Sequence, residues 1–229
     1  MYALHDGCMR TAFCLAAAAA VIVLCCATPF DTLARNYLAT AYVLENLLLE
    51  LGAPLLLVLS LPKPLAQRVR IPLAVGWIAG MVVLALWYAP ALLAAAVRSA
   101  PVHTVQVLSW IVGGMLFYLP VYSPAPQSRV RPVPHGVVYF LTALVFSSLL
   151  SLFIGFSRFG LYTPFLDARD TLHILDQLRG RWGLTPEMDE QTACLFMWVL
   201  SLFVWMSSVM VMFWRMYRES KRAARVSQS

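Results

Sequence analysis

Six long apolar stretches separated by short polar links dominate this chain, and they leave few architectures open. They run over residues 11–29, 37–61, 72–97, 102–122, 133–156 and 192–214. Each is close to the roughly 20 apolar residues that a helix needs to cross a ~30 Å hydrocarbon layer. Hydrocarbon offers no partner to backbone N–H and C=O groups, so a spanning segment must be a helix or part of a closed barrel. The alternating pattern of a membrane barrel strand is absent. With 61% hydrophobic and 12% charged residues, the 229-residue chain also has too little polar surface for a soluble globule. The expected fold is an all-α polytopic membrane bundle of about six transmembrane helices, forming one domain over residues 1–229.

Lysine and arginine set the expected orientation. Six spans place Arg10, Lys63, Arg68, Arg70, Arg129, Arg131, Arg215, Arg218, Lys221, Arg222 and Arg225 on one side, eleven of the seventeen basic residues. Arg35, Arg98, Arg158, Arg169, Arg179 and Arg181 fall on the other, where the longest loop, 157–191, also carries Asp167, Asp170, Asp176, Glu187, Asp189 and Glu190. The positive-inside rule then makes both termini cytoplasmic. The net charge of +6 calls for no nucleic acid, since the basic tail 215–229 suits anionic lipid headgroups. A second reading of the first stretch is a signal peptide, with Arg10, an Ala-rich core and Ala27-Thr28-Pro29; the adjacent Cys25 and Cys26 suit a cleavage site poorly. Cys8, Cys14, Cys25, Cys26 and Cys194 are odd in number and form no Cys-x-x-Cys pair, so no disulfide framework is expected.

In the long loop, Leu172, Leu175 and Leu178 recur at helical spacing after Asp170 and Thr171, which predicts a short capped amphipathic helix, either a lid on the bundle or a docking surface. The polar residues inside the spans carry more information, because ionisable groups there are costly and face protein, water or a ligand. Tyr42, Asn46 and Glu50 are spaced by four and share a helix face, with Glu45 beside it. Topology brings Tyr42, Glu45, Asn46, Tyr88, His103 and Gln106 to the outer end of the bundle. This placement predicts either an outward-facing polar site or a buried interhelical hydrogen-bond network.

Four pieces of sequence in order, Tyr42-Val-Leu-Glu-Asn-Leu-Leu-Leu-Glu-Leu-Gly-Ala-Pro54, then Leu86-Trp87-Tyr-Ala-Pro90, then His103-Thr-Val-Gln-Val with Leu116-Phe-Tyr-Leu-Pro120, then Leu184-Thr-Pro-Glu-Met-Asp189-Glu-Gln191 running to Met197-Trp198, resemble the multi-pass CtaG-type cytochrome c oxidase assembly factors. The likeness covers about residues 37–215. It implies a biogenesis factor or accessory protein of a respiratory haem–copper oxidase in a bacterial inner membrane, linked to copper insertion, with oxidase subunits or assembly proteins and membrane lipid as partners. It also implies histidines at the positions held here by Tyr42, Asn46, Tyr88 and Val107, while His103 is kept. A divergent member lacking most of that set has His103 as its one candidate metal ligand. Copper(I) prefers imidazole, thiolate and thioether, whereas Glu45 suits a harder cation or a hydrogen bond to Asn46 or Gln106.

Met206 and Met210, and Met212 and Met216, are also spaced by four on the last span, a pattern that passes copper(I) or simply fills gaps. No phosphate-binding loop, nucleophile elbow or His-Glu-x-x-His motif is present, so no enzyme is expected. Two other functions stand beside assembly: a metal-free subunit packed in an oxidase complex, and a small transporter using the outer polar site.

Overall fold

The computed structural model describes residues 2–123, 133–156, 163–166, 170 and 172–226. Helices fill the described residues in the order α1 (Tyr2–Ala27), α2 (Pro29–Asn36), α3 (Ala39–Leu47), a π-helical turn (Leu48–Gly52), α4 (Ala53–Ser60), α5 (Lys63–Arg68), α6 (Leu73–Trp87), α7 (Pro90–Arg98), α8 (Ala100–Tyr122), α9 (Val133–Phe156), α10 (Thr163–Leu166), a second π-helical turn (Asp176–Arg181) and α11 (Pro186–Val226). Among them, Met9–Ala27, Ala39–Ser60, Ala100–Tyr122, Pro134–Phe156 and Pro186–Arg218 are each long and apolar enough to cross a membrane. The chain is thus a polytopic helical membrane protein. Of the basic residues that set the expected orientation, Arg129, Arg131, Arg158 and Arg169 lie outside the described residues, as do Asp167 and Thr171.

The expected third span, 72–97, is not one straight helix. It breaks into α6 and α7, which meet at 72°. The cause is local: Pro90 has no N–H to continue the helix, and it drives Ala89 into an extended conformation (φ −65°, ψ 129°). Counted as one broken pass, the pair makes six crossings.

Close approach between spans rests on glycine. Gly76 and Gly80, one turn apart on α6, face α8. A Cβ at Gly76 would stand 2.7 Å from the Leu116 carbonyl and the Pro120 ring, and one at Gly80 would stand 2.8 Å from Phe117. Small residues let two backbones meet where lipid gives no hydrophobic drive for helices to associate. Opposite them, Gly114 lets α8 lie against the second span, where a Cβ would overlap the Glu50 carbonyl and come within 2.6 Å of Pro54 Cγ. Pro54 explains why that carbonyl is there. It has no N–H to donate four residues back to Glu50, and the helix widens into the π turn just before it.

The middle of the bundle is aromatic. Trp205 of α11 stacks on Phe140 of α9 (6.1 Å, 27°) and lies 5.1 Å from Phe117 of α8. Its indole N–H donates to Ser147 Oγ at 3.0 Å. Ser147→Ala would strand that buried donor, and we expect a loss of about 1–3 kcal/mol in detergent-solubilised unfolding. Trp205→Phe in the same background should recover part of the loss by removing the orphaned N–H.

At the far end of α11 the basic residues lean on aromatics: Arg218 sits 3.4 Å over the Trp214 ring and Lys221 4.7 Å over Tyr217. Arg215 donates to the Val121 carbonyl at 3.4 Å. The loop helix expected around Leu172, Leu175 and Leu178 takes another form. Among the described residues the helical turn there is the π turn Asp176–Arg181, with Leu178 buried and Leu172 40% exposed, so the leucines do not share one face. Asp170 works as a local tie: Tyr37 Oη donates to its carboxylate at 2.9 Å, and so does the Ile174 N–H at 3.1 Å.

Candidate functional site

Three helix starts at one end of the bundle build the site. Thr28 Oγ1 accepts the Phe30 N–H at 3.2 Å and Pro29 occupies the first turn, a favourable start for α2. Asp31 and Arg35, one turn apart on α2, form an ion pair at 3.9 Å, and Arg35 also donates to the Val97 carbonyl of α7 at 3.5 Å. Glu45 lies in the second turn of α3. His103 and Gln106 follow one turn apart at the start of α8.

The start of α3 is fixed from far away. Leu38 supplies no side-chain cap. Instead Asp189, at the start of α11, accepts from the Ala39 N–H at 2.6 Å, from the Thr40 N–H at 3.2 Å and from Thr40 Oγ1 at 2.6 Å. Only 1% of Asp189 is exposed. The carboxylate therefore satisfies the free donors of a helix 150 positions earlier and opposes the positive end of that helix. The ordinary reading of Asp189 as an acidic residue serving its own helix misses this role.

Within the site, Gln106 Nε2 donates to Tyr42 Oη at 2.5 Å, which turns its Oε1 towards His103 Nδ1 at 3.2 Å. An amide oxygen only accepts, so in this amide orientation the tautomer that suits the contact has its proton on Nδ1. The other ring nitrogen, Nε2, points at two carboxylates: Asp31 Oδ1 at 3.2 Å and Glu45 Oε1 at 3.8 Å. Ligand atoms of Asp31, Glu45 and His103 all lie within 4.8 Å of one another. Glu45 is fully buried, and neither of its carboxylate oxygens has a hydrogen-bond partner.

The other residues singled out from sequence fall into three groups. Tyr42 and Gln106 are buried, Gln106 meeting His103 and Tyr42 holding Gln106. Asn46 and Tyr88 are buried nearby, but the Asn46 amide and the Tyr88 hydroxyl meet no hydrogen-bond partner. Trp87 ties α6 to α8 by donating to Ser109 Oγ at 2.6 Å, Pro54 packs against Gly114, and the exposed Pro90 sets the α6–α7 break. On α11, Met197 is buried and Trp198 is 42% exposed, while Gln191 is exposed beside Asp189. Glu50 is buried and is not among the residues lining two apolar grooves between α6 and α9.

Sequence reasoning missed Asp31, which sits in what reads as a link between the first two spans. The available signal was the Asp31/Arg35 spacing directly after Thr28-Pro29, which marks a short amphipathic helix rather than a loop.

The donor set does not suit copper(I). The cluster offers one imidazole and two carboxylates, and the free thiols of Cys25 and Cys26 at the end of α1 are not among its ligand atoms. Met206 and Met210 are exposed on α11, and Met212 packs against Gly136 of α9, away from the cluster. Soft copper(I) would find hard oxygen where it favours thiolate, thioether or further imidazole.

A search of curated proteins and a search of solved structures each found no match. One family model, described as cytochrome c oxidase caa3 assembly factor, matches residues 8–219, nearly the whole chain and both the α2–α3 and α8 parts of the site. By that match the chain belongs to the caa3-type cytochrome c oxidase assembly factor family.

Proposed function

We propose that this protein supports the biogenesis of a haem–copper oxidase in a bacterial inner membrane, holding oxidase subunits during assembly rather than carrying copper(I) to them. The family match over residues 8–219 carries the assembly role. The preference for a platform over a copper carrier rests on the donor set, in which Tyr42, Asn46 and Tyr88 stand where the resemblance implies histidines, and His103 faces carboxylates. Orientation follows the basic residues: Arg215, Arg218 and Lys221 lie at the end of the bundle remote from Asp31 and His103, so the tail is cytoplasmic and the polar cluster opens towards the outer face. An assembly role of this kind asks for a rigid membrane body with no reaction centre.

The test is affinity purification of the tagged full chain from its native membrane in mild detergent, with haem spectra and copper analysis of the same sample. Oxidase subunits should co-purify while copper on this chain stays far below one per molecule, and deletion of the gene should lower the haem a signal of the membranes. Stoichiometric copper(I) on the isolated chain would overturn the platform reading. Unchanged oxidase in the deletion strain would overturn the assembly role itself.

A further inference from the structure

We infer that Asp31, Glu45 and His103 form a binding site for a divalent cation of the zinc and manganese class, resident in this chain and distinct from any copper in transit. The geometry of His103 points to it first. With Nδ1 donating to Gln106 Oε1, the free lone pair of the neutral ring is on Nε2, the atom that faces both carboxylates at 3.2 and 3.8 Å. In that tautomer the Nε2 lone pair is free to bind a cation held between the two carboxyl groups. Metal-ligating histidines have this arrangement, the second ring nitrogen donating to an oxygen that fixes tautomer and ring plane. Gln106 is that outer partner, and Tyr42 holds Gln106 in turn.

Glu45 supplies the independent observation. Its side chain is fully buried, both oxygens lack a hydrogen-bond donor, and Oε1 is directed into the cluster. A proton on His103 Nε2 would serve one carboxylate and leave the other short of donors, a costly arrangement inside a membrane protein. A divalent cation satisfies both. Oxygen and imidazole ligands bind such ions at about 2.0–2.2 Å, which sets ligand atoms roughly 3.3 Å apart in a tetrahedral site. The observed 3.2 and 3.8 Å need only side-chain adjustment to reach it. Three protein ligands leave a coordination position for water, and Asp31, 23% exposed, is the most exposed of the three. Arg35, 3.9 Å from the far oxygen of Asp31, orients that carboxylate without competing for Oδ1.

The experiment uses the purified full-length protein in detergent micelles, stripped with chelator. It is titrated with zinc chloride and manganese chloride by calorimetry, and with cobalt(II) chloride by visible absorption. Wild type should bind one ion per chain, show cobalt d–d bands displaced by zinc, and gain thermal stability on loading. Asp31→Asn and Glu45→Gln should each weaken binding at least tenfold and abolish the thermal gain. Two isosteric variants are used so that if fully buried Glu45→Gln misfolds, Asp31→Asn, at the partly exposed ligand, still decides. A wild type that binds these ions no more tightly than the folded variants would overturn the site and leave an ion pair. So would cobalt bands that survive Asp31→Asn. Because the readout needs no oxidase, its failure leaves the assembly role standing.

Discussion

Gly114→Leu should remove most of the folded protein from the membrane. The position has no room even for a Cβ, since α8 approaches the second span until its backbone meets the Glu50 carbonyl and the Pro54 ring. Both obstacles are rigid: one is main chain, the other a ring that cannot rotate away. Overpacking a core costs about 1–3 kcal/mol when flexible side chains absorb it. Here neither partner can give way, so we expect at least the upper end of that range. Gly114→Ala discriminates the cause. If the contact is between backbones, alanine is already strongly destabilising; if only side-chain bulk mattered, alanine would be near neutral. Detergent-solubilised thermal unfolding and the fraction of monodisperse protein after extraction read both variants.

Asp189→Ala should cost about 3 kcal/mol, because it takes one charge-assisted hydrogen bond from each of Ala39 N–H, Thr40 N–H and Thr40 Oγ1 at once. The alternative view of Asp189 as a partner for the dipole of its own helix predicts less than about 1 kcal/mol. Asp189→Asn keeps one acceptor and should recover part of the loss. Hydrogen exchange adds a local readout: the amides of Ala39 and Thr40 should become the fastest-exchanging of α3 in the alanine variant, with α9 unaffected.

The crossings were legible in the sequence because burial in lipid demands long apolar runs whatever the tertiary packing, and the observed spans follow them closely. The break at Tyr88–Pro90 was not, since membrane helices tolerate proline and only the packed neighbours fix whether the chain kinks or turns through 72°. The spacing of Tyr42, Glu45 and Asn46 placed them near one face, and topology brought His103 and Gln106 to the same level. Asp31 escaped because α2 is a short helix with mixed polarity, and hydropathy reads such segments as links. Asp189 escaped for another reason. Its position in sequence says nothing of the Ala39 N–H, which is brought to it only by α3 packing against α11. The Gly76/Gly80 pair was in plain view at one-turn spacing, yet only the neighbouring helix shows which glycines have a partner to approach.

The cap supplied by Asp189 also has a temporal meaning. A chain emerging from the ribosome and entering the membrane delivers α3 some 150 positions before the residue that satisfies its first amides. Until α11 arrives, the beginning of the second span must hold water or translocon groups in place of the carboxylate. Glu45 meanwhile waits beside an end of α3 that is not yet fixed. α11 also brings Trp205 to Ser147 and Phe140, so the aromatic core and the start of α3 are completed by the same helix. Chains that stop short of α11 would leave the first amides of α3 without their carboxylate, so the second span settles only once α11 is in place.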